Sequence, residues 1–111
     1  MTDRELLDLA AKAAGHQTKS DRLNVWLVED DGSPVERWNP LADDSQALRL
    51  AVKLRICLEF THCADDAPVI YCGRDIERRN WPMVPNFPDA NATTRRAIVM
   101  AAAEIGKTRS D

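Results

Sequence analysis

Residues 23–38, LNVWLVEDDGSPVERW, constrain the fold more than any other stretch. Asp31-Gly32 is a strong short-range hairpin signal, and β-branched and aromatic residues flank it. Centring a two-residue turn on Asp31-Gly32 sets Val28 opposite Val35 and Val25 opposite Trp38. Leu23, Val25, Leu27 and Trp38 then share one face, and Trp26, Val28 and Val35 share the other. Both faces are apolar, so the hairpin expects cover on both sides.

Three segments have the helical period to provide that cover. Thr2 with Glu5 has capping-box spacing, Leu6, Leu7, Ala10, Ala13 and Ala14 follow at helical intervals, and Gly15 is a natural stop. A helix is expected over about residues 3 to 14. In WNPLADDSQALRLAVKL, Pro40 pushes Asn39 out of the α region, and Asp43 or Asp44 caps the next helix. Ala47, Leu48, Ala51, Val52 and Leu54 are its expected buried stripe. Trp38 can pack back over its first turns as a hydrophobic staple. The third helix starts near Asn91 or Thr93, buries Ala97, Ile98, Ala101, Ala102 and Ile105, and ends at Gly106.

LRICLEFTH and PVIYCGR read as a second hairpin around CADDA. Leu54, Ile56, Leu58 and Phe60 alternate onto one face. The register that pairs Phe60 with Ile70 also pairs Leu58 with Cys72. HQTKSDR reads as a polar connector, and DIERRNWPMVPNFPDAN as an extended loop anchored by Trp81, Met83 and Phe87. The expected architecture is a single α+β domain over residues 1–111, ordered α-β-β-α-β-β-α. Its four-stranded antiparallel sheet would carry helices on both faces, an α/β/α sandwich.

Composition narrows the function classes. The chain has 111 residues, 44% hydrophobic and 30% charged, with a formal net charge of −3. That balance disfavours general nucleic-acid binding, which needs a basic footprint. No apolar run approaches the ~20 residues of a membrane span. MTDRELLDLAAKAAG is charged and helical rather than a secretion signal, so cytoplasmic residence is expected. Three cysteines without CxxC spacing suggest free thiols.

No constellation supports catalysis. Asp43-Asp44 lacks a partner His or acid one turn away and is better explained as capping. His62, Cys63, Cys57 and Cys72 could suggest zinc, but strand alternation sends Cys57 and Cys72 to opposite faces. Neither a metal nor a cofactor is expected, and the chain reads as a non-enzyme. Asp65-Asp66 is turn chemistry. GRDIERRNW is the least bland feature: Arg74, Arg78 and Arg79 beside Trp81, with Phe87 following, have the composition of an interface hot spot. Arg95, Arg96, Lys107 and Arg109 lie nearby in sequence or in the third helix.

The blocks MTDRELLDLAAKAAG, WNPLADDSQALRLAVKL and ATTRRAIVMAAAEIGK resemble the phage ABA sandwich domain family, small accessory proteins of tailed phages and prophages. The resemblance covers nearly the whole chain and is weakest in the hairpins and in IERRNWPMVPNFP. It implies a layered α-β-α fold and no catalytic residues. It also implies a phage accessory protein, for which a bacterial host protein is the expected partner. Two function classes follow. One is an inhibitor of an antiviral defence component, anti-CRISPR-like. The other is a sponge or binder of nucleotide or nucleic-acid ligands; a phage housekeeping protein is the plainer alternative. A homodimer is compatible with either.

Overall fold

The protein is described by a computed structural model that covers residues 2–21, 24–62, 68–73, 83–86 and 88–108. The first helix, α1 (Asp3–Ala14), has the expected bounds. Thr2 Oγ1 accepts from the Glu5 N–H and donates to the Glu5 carboxylate, both at 3.1 Å. Gly15 closes the helix in the left-handed region. The next helix, α2 (Asp44–Leu54), is capped by Asp43, whose carboxylate accepts from the Ser45 and Gln46 N–H groups at 2.9 and 3.1 Å. The last helix, α3 (Ala90–Thr108), starts one to three residues early, with the Asp89 carboxylate accepting from the Ala92 N–H.

The single four-stranded sheet with helices on both faces, the α/β/α sandwich expected from the sequence, does not form. Two separate three-stranded antiparallel sheets take its place. One is ordered β1 (Thr18–Ser20), β2 (Val25–Val28), β3 (Pro34–Arg37); the other is β4 (Cys57–His62), β5 (Pro68–Gly73), β6 (Met83–Pro85). Two strands are additional to those expected. β1 is Thr-Lys-Ser from the presumed connector, and β6 is Met-Val-Pro from the presumed loop. Neither is long enough to show apolar alternation. They pair with the free edges of β2 and β5 and bring each hairpin to three strands, and the outer strands β3 and β4 do not pair with each other.

The first hairpin keeps its expected register except at the turn. Its loop has three residues, Asp30, Asp31 and Gly32, closed by Gly32 N–H to Glu29 O at 2.8 Å and Glu29 N–H to Ser33 O at 2.9 Å. Gly32 sits at φ +87, which a left-handed loop position requires. The longer loop makes Pro34, not Val35, the partner of Val28. A bulge between Leu27 and Val28 then absorbs the extra residue. Beyond it Leu27 faces Glu36, and the Trp38 N–H donates to Val25 O at 2.8 Å, the expected Val25–Trp38 juxtaposition. The second hairpin pairs as expected, Phe60 with Ile70 and Leu58 with Cys72.

One apolar core unites the elements. Leu6, Leu7 and Ala10 of α1, Leu50 and Leu54 of α2, and Ile98, Val99 and Ala102 of α3 contribute to it. Val25 and Trp38 reach it from the first sheet, Ile70 and Cys72 from the second. The demand for cover on both faces of the first hairpin is not met. Val35 is 60% exposed, and Trp26 is half-buried, with its indole N–H on the Asp21 carboxylate at 2.9 Å. Gly106 also departs from expectation: it lies inside α3, against the Leu9 backbone of α1.

Candidate functional site

The residues that the sequence favours as an interaction surface, Arg74, Arg78, Arg79, Trp81 and Phe87, lie outside the described residues, as does Arg109. The other cations linked to them have partners. Arg95 donates to Leu41 O and to the Asp44 carboxylate at 2.8 and 2.6 Å. Arg96 meets Asp3 at 2.9 Å, and Lys107 meets Glu104 at 3.1 Å. Arg95 and Arg96 tie α3 to α2 and α1, and Lys107 pairs within α3, so these cations do not form a free basic patch.

The Trp38–Gln46 segment is a built helix start. Asn39 Oδ1 accepts from the Leu41 N–H, and Asn39 O accepts from the Ala42 and Asp43 N–H groups. Pro40 is fully buried. Buried Gln46 locks the segment: its Oε1 accepts from the Asn39 N–H and its Nε2 donates to Arg37 O, both at 2.6 Å. Asp43 is the cap and Asp44 the ion-pair partner of Arg95, so the two carboxylates are spent on structure. Hydrogen bonds from Ser45 and Gln46 hold the Asp43 carboxyl below its usual range.

Cys57 is exposed, whereas Cys72 is buried on the opposite face of its sheet. Burial pushes the Cys72 thiol up to about 12. Among the described residues no group of His, Cys, Asp and Glu is placed to hold a metal; Cys63 lies outside them. His16 stacks edge-on against Trp38, ring centres 5.8 Å apart. Burial, and secondarily Lys53, lowers its pKa against an opposing pull from Glu36.

Two features were not foreseen. The first is the outer face of α2. The expected stripe included Leu48 and Val52, but these are 59% and 69% exposed, and Gln46 and Leu50 are buried instead. Ala47, Ala51 and Leu54 belong to both stripes, so periodicity permits either rotation of the helix. The Gln46 bonds and the Arg95–Asp44 pair set the rotation. Leu48 and Val52 therefore stand one turn apart on the outside, and Arg49 and Lys53 form the adjacent row. Among the described residues, Arg49 has only a 4.0 Å approach to Glu36 as an ion pair.

The second feature is a cleft of about 270 Å³ between the first turn of α1 and the β3–α2 junction. Leu7, Val25 and Trp38, all buried, form its apolar floor. Arg4, Arg37, Asn24 and Asn39 line it with polar groups, beside the Asp3 already held by Arg96.

Comparison of the chain with protein families, with curated proteins and with solved structures found no significant match.

Proposed function

We propose that this chain is a non-enzymatic phage or prophage accessory protein that binds and inhibits a bacterial antiviral defence component, in the manner of an anti-CRISPR protein. The phage kinship rests on the resemblance of its three helical blocks. The observation that carries the binding role is the outward face of α2. Leu48 and Val52 remain in water on a helix whose other apolar residues join the core. Burying the exposed part of two such side chains against a partner contributes roughly 1 to 2 kcal/mol each. Arg49 and Lys53 beside them, and Arg55 after the helix, make this face cationic on a chain with net charge −3. An acidic surface of a host protein is the complementary occupant.

The test is a phage-plating assay in hosts carrying defined defence systems, with co-purification of the tagged protein. Wild-type protein should restore plating against one system and retain a component of that system. The double variant Leu48→Glu, Val52→Glu repels an acidic partner without entering the core. It should lose both effects while its melt stays within a few degrees of wild type. Full protection by the variant would overturn the assignment of this face. No protection against any system would overturn the defence role. A concentration-dependent dimer lost in the variant would assign the face to a second copy of the chain.

A further inference from the structure

We infer that the cleft between α1 and the β3–α2 junction is a binding site for a small anion carried on a flat apolar body, a carboxylate or a phosphate. This is independent of the α2 face, with which the cleft shares no residue.

The inference rests on hydrogen-bonding capacity left unused around a buried apolar floor. The Arg37 side chain makes no hydrogen bond or ion pair within the described residues; only its carbonyl is engaged, by Gln46. Among the described residues Arg4 has a single long hydrogen bond, its Nη1 donating to Asp21 O at 3.5 Å. Asn39 uses its side-chain oxygen on the Leu41 N–H, which leaves its NH₂ donors for a ligand. Asp3, the one acid among the described residues that line the cleft, is ion-paired with Arg96 at 2.9 Å. Among the described residues the cleft thus offers donors and positive charge without an unpaired carboxylate. A guanidinium matches a carboxylate or phosphate through two parallel N–H donors. Beneath these donors, Leu7, Val25 and Trp38 offer a surface against which a ring can lie.

Size limits the occupant. A volume of about 270 Å³ lies just below the usual range of small-molecule pockets, so it suits a ring-sized body better than a dinucleotide. The Gln46 clamp and the Asp43 cap hold the β3–α2 junction in place, so the cleft is built before any ligand arrives.

The test is an amide-resolved NMR titration of the whole chain with benzoate, phenyl phosphate and the neutral control benzyl alcohol. At least one anion should give saturable shifts at the Trp38 indole and the Asn39 side-chain amide. Its dissociation constant should be on the order of 1 mM, as expected for so small a ligand. Benzyl alcohol should bind at least about 10-fold more weakly, since it forms no charge-assisted pair. Arg37→Gln should weaken anion binding by a similar factor while the thermal melt is unchanged, because that side chain has no hydrogen-bond or ion-pair partner among the described residues. Tighter binding of phenyl phosphate would assign the site to phosphate esters, and tighter binding of benzoate to carboxylates. Non-saturating shifts with both anions, equal binding of the alcohol, or undiminished binding by Arg37→Gln would overturn the inference.

Discussion

Replacing Gly106 with Ala tests the packing at the centre of this fold. Helix propensity alone says the change should help, since Ala is better than Gly inside a helix by about 1 kcal/mol. The structure says the opposite. A Cβ built on Gly106 would lie 2.8 Å from the Leu9 carbonyl carbon and 3.3 Å from its Cα, and closer still to the carbonyl oxygen. Carbon pairs are at their optimum near 3.5 to 4.0 Å, so α1 would have to retreat by roughly 1 Å. No flexible side chain can absorb this, because the obstacle is backbone. The facing surfaces are already small: Ala10, Ala13 and Ala14 on α1, Ala102 and Ala103 on α3, all buried. Overpacking of this kind costs about 1 to 3 kcal/mol, and more where backbone must move. Because backbone must move, the upper end of about 3 kcal/mol applies, and less the propensity gain a net loss of about 2 kcal/mol is expected, or roughly 10 °C in Tm for a domain of this size. Urea and thermal melts followed by far-ultraviolet circular dichroism measure it directly. A Gly106→Ala protein as stable as wild type, or more so, would refute the close approach of α1 and α3.

Three further outcomes follow from single side chains. Gln46→Leu removes both hydrogen bonds of the clamp and leaves the Asn39 N–H without that partner; it should cost about 1 to 3 kcal/mol in chemical denaturation, and an unchanged midpoint would discount the clamp. In native protein at pH 8, a thiol reagent followed by peptide mass spectrometry should label Cys57 and spare Cys72, whose thiol is pushed up to about 12; equal labelling would contradict the burial of β5. The lowered pKa of His16 means that the unfolded chain takes up its proton first as pH falls. The stability contributed by neutral His16 is therefore present above 6.5 and lost as pH drops from there through the folded value. His16→Gln should flatten stability over that window, and an NMR titration placing the folded pKa above 6.5 would reverse the sign.

What was legible in the sequence was whatever depends on neighbours along the chain. Capping residues, turn residues and helical periods act over three or four positions. Hence α1 emerged with its cap and bounds, Asp43 was among the foreseen caps of α2, and the second hairpin emerged with its register. The first hairpin was legible up to its bulge, since a three-residue loop plus a bulge restores the register of a two-residue turn. What only the tertiary structure decided depends on partners distant in sequence. Thr18–Ser20 and Met83–Pro85 are strands because β2 and β5 offer them edges, and the two hairpins lie in two sheets instead of one. The rotation of α2 was equally hidden, because its apolar residues permit two overlapping stripes. Hydrogen bonds between Gln46 and residues 37 and 39, and the ion pair of Asp44 with Arg95 on α3, choose between them and turn Leu48 and Val52 outward. The cleft has the same origin: Arg4 and Arg37 are ordinary surface cations in sequence, and only the meeting of α1 with the β3–α2 junction sets them around Trp38. Gly106 reads as a helix stop by its type, yet the approach of Leu9, almost a full chain length away, makes it an interior residue where a side chain has no room.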